Sequence, residues 1–180
     1  MTSGSSAGRH LVLVGLMGTG KTSVGKRCAK LLDRDFVDTD ALVEANTGIS
    51  VAEIFERDGE ARFRELERAA VADACASPVP LVIACGGGAV LDPDSRRTLR
   101  AAGLVVWLQA SPAVLGGRVG SATDRPLLGG AGGATATLRR LATLRAPAYE
   151  AAAGVVVDTD ARSIDEVAAA VVEEFRTWNA

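Results

Sequence analysis

Residues 15 to 22 read Gly15-Leu16-Met17-Gly18-Thr19-Gly20-Lys21-Thr22, a glycine followed four residues later by Gly-Lys-Thr. The apolar run Leu11-Val12-Leu13-Val14 precedes this stretch, and a helix is expected from about Lys21 to Leu32. In that context successive backbone N–H groups converge on phosphate oxygens, backed by the partial positive charge of a helix start. Gly18, Thr19, Gly20, Lys21, Thr22 and Ser23 are the expected nucleotide contacts. Lys21 would reach the β- and γ-phosphates, and the Thr22 hydroxyl would bind Mg²⁺. The pattern points to a nucleoside triphosphate and says little about the acceptor.

Other residues could do chemistry but admit plainer readings. Asp38-Thr39-Asp40 ends a short strand, the edge at which ligands of open α/β sheets sit. Strand alternation sends both carboxylates to similar sides, one toward metal and one toward the acceptor; either could instead cap a helix. Arg64 stands three and four residues from Glu67 and Glu60, which by itself reads as surface charge pairing on a helix. Gly86-Gly87-Gly88 follows another apolar run and offers bare backbone to a ligand, or simply a turn. Phe55 and Phe63 read as packing, and Cys85 as a buried apolar residue. His10, the single histidine, reads as incidental.

These residues need a scaffold. Asp35-Phe36-Val37-Asp38, Leu81-Val82-Ile83-Ala84, Leu104-Val105-Val106-Trp107-Leu108 and Val155-Val156-Val157 join the first run as expected strands. The unbroken apolar run Leu11 to Val14 suits a strand covered on both faces. Asp92-Pro93 and Ser111-Pro112 announce helix starts, and Gly103 a helix stop. Ser163 with Glu166 forms a capping box, behind which Ile164, Val167, Val171, Val172 and Phe175 recur at helical spacing. The alternation predicts one α/β domain over residues 1–180: a five-stranded parallel sheet between two helical layers. Core segments are expected at about 9–38, 77–115 and 137–178. Two stretches break the rhythm. Residues 39–76 lack a strand and should form a helical excursion that holds substrate. Residues 116–136, with Gly129-Gly130-Ala131-Gly132-Gly133 near their end, read as a flexible lid.

Composition narrows the class. The 180 residues are 48% apolar and 23% charged, which excludes a solvated disordered chain. No apolar run reaches the roughly 18–20 residues of a membrane span, and the polar start is too brief in its apolar part for a signal peptide. A net charge of −2 disfavours nucleic-acid or anionic-membrane partners. Three cysteines, Cys28, Cys75 and Cys85, lack metal-ligand spacing and suit a reducing cytoplasm. No apolar stripe demands a partner, so a monomer is expected. The base-reading Asn/Thr-Lys-x-Asp element of guanine switches is missing, and the chain is short for a remodelling ATPase. Small kinases remain.

From Leu11 to about Asp158 the chain resembles the shikimate kinase family. The resemblance rests on Gly15 to Thr22, Asp38-Thr39-Asp40, Gly59-Glu60-Ala61-Arg62-Phe63-Arg64 with Glu67, Gly86-Gly87-Gly88-Ala89, Arg125-Pro126-Leu127-Leu128 and Arg145-Ala146-Pro147-Ala148-Tyr149, in the family's order. It implies a P-loop kinase fold and transfer of the ATP γ-phosphate to the shikimate 3-hydroxyl, with Mg²⁺. Asp38 is then implied at the metal and Asp40 at the acceptor hydroxyls, where it positions the nucleophile and takes its proton. Arg64, steadied by Glu67, would bind the shikimate carboxylate, and Arg145 would be a second positive contact to the same substrate. Arg125 would swing in with the lid to the phosphates; Arg118 and Arg162 would lie on the adenine side. The alternatives are a gluconate-type sugar-acid kinase and a P-loop regulator without catalysis.

Overall fold

The computed structural model describes residues 9–119 and 133–180. Its sheet holds β1 (His10–Val14), β2 (Asp35–Asp38), β3 (Leu81–Ala84), β4 (Gly103–Gln109) and β5 (Val155–Asp158). All pairings are parallel, in the order β2-β3-β1-β4-β5, with Val12 opposite Ile83 on one side and Val105 on the other. The chain leaves β1 for the β2 edge and later returns past β1 to β4. The carboxyl end of β1 therefore sits at the point where the winding reverses, which is where α/β sheets open a crevice.

Alternation along β1 divides the core in two. Leu11 and Leu13 face α1 (Lys21–Leu32) and α7 (Ile164–Trp178), with Val24, Cys28, Val171 and Phe175 in that layer. Val12 and Val14 face the layer built from α3 (Val51–Cys75), α4 (Pro93–Ala102) and α6 (Gly133–Ala152), with Val71, Leu99, Leu138 and Tyr149. Both faces of β1 are sealed, so the run at residues 11–14 has no polar position. Asp92 caps α4 before Pro93, Gly103 closes it, and Ser163 with Glu166 boxes the start of α7. Ile164, expected on the apolar face of α7, is instead 50% exposed at the first position of the helix, ahead of the buried stripe that starts at Val167.

The stretch without a strand forms α2 (Thr39–Thr47) and α3, which share a small core of Val43, Ile54, Phe63 and Ala70. Ser50 and Glu53 make a second capping box at the start of α3. Gly59 interrupts that helix with φ 80° and ψ 172°, a conformation reserved for glycine. The stretch expected as a flexible lid, 116–136, is helical at both ends: α5 (Pro112–Val119) enters it and α6 starts at Gly133. Gly116 is there for close approach, since any Cβ would strike the Thr135 side chain of α6. The remainder of the expected lid lies outside the described residues. Among the described residues no helix is long and apolar enough to cross a membrane.

His10 is not incidental. It is the first residue of β1, 2% exposed, and its Nδ1 accepts the Leu81 N–H at 3.0 Å. Nε2 therefore carries the hydrogen and donates to the Cys75 carbonyl at 3.3 Å, tying the end of α3 to the start of β3. Burial lowers the His10 pKa, the Cys75 carbonyl opposes this, and Arg34 adds to it. A folded pKa below the unfolded one means the unfolded chain takes up the proton first as pH falls. The stabilisation is thus complete above about pH 6.5 and declines below it. In urea unfolding, the stability advantage of wild type over His10→Gln should be clear at pH 7.5 and shrink at pH 5.5.

Candidate active site

The phosphate loop is shaped by backbone geometry. Gly18 and Gly20 take φ of 85° and 90°, left-handed values that let the loop turn back before α1 begins. Lys21 folds over it, its Nζ donating to the carbonyls of Gly15 at 2.8 Å and Leu16 at 3.0 Å. Thr19 departs from expectation: its hydroxyl and its N–H both donate to the Leu16 carbonyl, and its buried side chain braces the loop from within. Gly18, Gly20, Lys21, Thr22 and Ser23 line a cavity of about 520 Å³ beside the sheet's carboxyl edge.

Asp38 caps a helix, the plainer of its sequence readings, and also reaches the phosphate loop. One oxygen, Oδ1, caps α2 by accepting the Asp40 N–H at 3.1 Å; the other accepts the Thr22 hydroxyl at 2.9 Å. A hydroxyl and a carboxylate are thus held together below the phosphate loop. Asp40 enters the same cavity. Burial, followed by the charges of Glu67 and Asp38, raises its pKa to about 6 against the pull of Lys21.

Helix α3 supplies the opposite wall. Arg64 donates through Nη1 to Glu67 Oε2 at 2.6 Å and through Nη2 to Glu60 Oε1 at 2.9 Å. Glu60 stands in solvent, but the Glu67 side chain is only 4% exposed, so surface pairing describes only half of the cluster. Burial pushes the Glu67 pKa up, while Arg64 and Arg145 hold it down. The floor is Gly86-Gly87-Gly88. Its first N–H donates to the buried Thr39 hydroxyl at 3.0 Å. A methyl on Gly86 would come within 2.5 Å of Asp40 Oδ1 and of Glu67 Oε1, and one on Gly88 would strike the Arg64 guanidinium. From α6, Arg145 Nη1 donates to the Gly87 carbonyl at 2.9 Å. Three buried side-chain atoms have no hydrogen-bond partner among the described residues: Asp40 Oδ1, Glu67 Oε1 and Arg145 Nε. All belong to this site, a concentration of unmet polar capacity typical of functional pockets.

Arg118, on α5, lines the cavity at the phosphate-loop end and donates to the Thr159 carbonyl at 3.0 Å and hydroxyl at 3.2 Å. Arg162 does not line the cavity; it donates to the Asp158 and Glu166 carbonyls around the start of α7. Arg125 lies outside the described residues. Phe55 and Phe63 stack at 4.8 Å and both reach the cavity, so their packing role includes its wall. Cys85 is buried, as expected. Sequence reasoning gave no role to Thr39, Glu44 or Tyr149. Alternation between two carboxylates was the signal for Thr39, which had to point inward from them; no local pattern marks the other two.

A phosphate loop opening onto an arginine- and carboxylate-lined acceptor pocket, on a five-stranded parallel sheet, is the arrangement of a P-loop small-molecule kinase. The family model for shikimate kinase matches residues 17–176. The shikimate kinase of Symbiobacterium thermophilum is 48% identical over 93% of this chain and 96% of its own length. The solved shikimate kinase of Acinetobacter baumannii, in complex with shikimate, superposes with a TM-score of 0.90 at 32% identity, covering 96% of this chain and 95% of that one. A gluconokinase from Sinorhizobium meliloti, at 24% identity and a TM-score of 0.63, shares the fold. The chain belongs to the shikimate kinase family, enzymes that phosphorylate shikimate with ATP.

The crowding of carboxylates can be measured directly. Carbon-detected NMR titration should place the Asp40 midpoint near pH 6. In Glu67→Gln the repelling charge is gone while burial remains, so the midpoint should move toward the ordinary carboxylate range without reaching it. An unchanged midpoint would remove Glu67 from the electrostatics of Asp40.

Proposed function

We propose that the cavity holds ATP on residues 15–23 and shikimate between Asp40, Arg64, Arg145 and the Gly86–Gly88 floor, and that the 3-hydroxyl receives the γ-phosphate. The observation that carries this reading is the opening of Lys21, Asp40 and Arg64 onto one cavity. The amides of the loop and the Lys21 ammonium bind the phosphate tail, and Arg118 borders the nucleoside end. Arg162 acts from outside the cavity toward the base, and Arg125 acts on the transferring phosphate. The forked guanidinium of Arg64, rigidly held by Glu60 and Glu67, receives the shikimate carboxylate with Arg145. That orients the ring so that a hydroxyl lies at Asp40.

Thr22 and Asp38 fit Mg²⁺. The cation keeps most of its water, takes one or two protein oxygens and completes its shell with phosphates, and a hydroxyl paired with one carboxylate supplies that much. Among the described residues no cluster of three acidic, histidine or cysteine side chains offers a closed metal site, which agrees with a cation that arrives with the nucleotide. When bound it would neutralise phosphate charge.

The chain's own part is positioning and one proton. The shikimate oxygen forms a bond to the γ-phosphorus as the bond from that phosphorus to the β,γ-bridging oxygen breaks. The hydroxyl proton passes to a carboxylate oxygen of Asp40, and ADP leaves. With a pKa of about 6, Asp40 is ionised at neutral pH yet remains a competent acceptor. The substrates are small molecules, handled by a monomer in the cytoplasm.

A coupled assay of ADP release with shikimate, gluconate and nucleoside monophosphates tests the reading; faster turnover of gluconate than of shikimate overturns it. Arg64→Ala should raise KM for shikimate about 10- to 100-fold, the loss of one charge-assisted contact, and leave KM for ATP nearly unchanged. Equal loss of both affinities would mean that Arg64 serves the fold alone. Asp40→Asn should keep nucleotide binding and lower kcat by about 100-fold or more. Wild-type turnover in that variant would take Asp40 out of the proton transfer.

A further inference from the structure

The Gly87 carbonyl accepts two hydrogen bonds from α6. Arg145 Nη1 donates at 2.9 Å, and the Tyr149 hydroxyl, one helical turn on, at 2.6 Å. The oxygen has two lone pairs, so its acceptor capacity is filled. The Ala89 N–H closes a turn onto the Gly86 carbonyl at 3.1 Å, which holds the ends of the stretch. Glycine at both central places still lets the Gly87–Gly88 peptide face either way, and the two donors select one orientation. Because the peptide is planar, fixing the Gly87 carbonyl toward α6 turns the Gly88 N–H to the opposite side. Gly88 in turn lies so close to the Arg64 guanidinium that a Cβ would strike it. The orientation of one peptide therefore fixes where the guanidinium can stand.

The two donors are not equivalent. Arg145 lines the cavity and faces the substrate, and a charged guanidinium that turns to a ligand loosens its hold on a neutral carbonyl. Tyr149 does not line that cavity. It is 1% exposed, and its ring stacks on Trp107 of β4 at 5.3 Å and 17°. Burial pushes its phenol well above the ordinary tyrosine range, so the hydroxyl remains a donor at any working pH. The ring is a rigid post between the sheet and the glycine floor.

We propose that Tyr149 is a positioning residue for the acceptor: its hydroxyl locks the Gly87–Gly88 peptide and through it the seat of Arg64, while Arg145 is released to the substrate. This rests on the acceptor lying against the Gly86–Gly88 floor, as proposed above.

Tyr149→Phe removes the hydroxyl and keeps the ring, its burial and its stack. KM for shikimate should rise about five-fold, the scale of one lost neutral hydrogen bond, with KM for ATP and kcat within about two-fold of wild type. Hydrogen exchange at the Gly88 amide should be about ten-fold faster in the ligand-free variant. An unchanged KM for shikimate, an equal rise in both KM values, or unchanged Gly88 exchange would each overturn the proposal. If wild type fails to turn over shikimate, the substrate assignment falls, and the amide exchange still decides whether Tyr149 locks the peptide.

Discussion

One carboxylate, Glu67, joins the parts of the site that the fold delivers separately. It is almost wholly enclosed, accepts from Arg64 at 2.6 Å and feels the positive charge of Arg145. Its other oxygen abuts the point where Gly86 would carry a side chain, and Asp40 stands against that same point. Enclosing an anion is costly unless cations and donors surround it, and removing one partner costs far more than the pair contributes. The helix, the glycine floor and α6 are therefore bound to one arrangement. Arg64 on a loose side chain would sample many rotamers; between Glu60 and Glu67 it presents its fork in one direction.

The sheet makes this convergence possible at low sequence cost. A parallel sheet sends every strand's carboxyl end to one edge, so the phosphate loop after β1, the carboxylates ending β2 and the glycines after β3 become neighbours without a dedicated connection. The Thr39 hydroxyl accepts the Gly86 N–H and stitches the second of these segments to the third. At the opposite edge His10 joins β1, β3 and the end of α3, the helix that carries Arg64 and Glu67. Cooperation between the two edges runs through α3, whose single break at Gly59 lets its first turns pack on α2 while the rest follows the sheet.

What could be read from the chain was what is local. The inner strands β1, β3 and β4 were legible because both their faces are buried, whereas the edge strands β2 and β5 leave positions such as Val156 exposed. The helix starts were legible because Asp92-Pro93 and Ser163 with Glu166 satisfy backbone donors within four residues. The phosphate loop declared itself because its chemistry is performed by backbone and needs glycine at fixed places. Long-range partners left no mark. His10 meets Leu81 across 71 positions and Tyr149 meets Gly87 across 62, and nothing near either residue signals the contact. Gly116 misled for a related reason: a glycine that permits close helix packing looks, in sequence, like one that permits flexibility. The inward turn of the Thr19 side chain was not legible, because a motif names the loop's residues without saying which face inward.

The balance of charge in the cavity bears on the proposed part of Asp40 as proton acceptor. Among the described residues four acidic and four basic side chains line it: Lys21 and Arg118 border the phosphate loop, Arg64 pairs with Glu67, and Arg145 reaches the glycine floor. Burial of Asp40, reinforced by the charges of Glu67 and Asp38, is what brings its pKa to about 6. Lys21 is the charge that holds it down. On the proposed reading, the Lys21 ammonium would turn from the loop carbonyls toward phosphate oxygens, so that this restraint would weaken as negative charge arrived on the same side. Both changes would raise the proton affinity of Asp40 when a hydroxyl proton must leave, so a carboxylate ionised beforehand would become the stronger base through electrostatics.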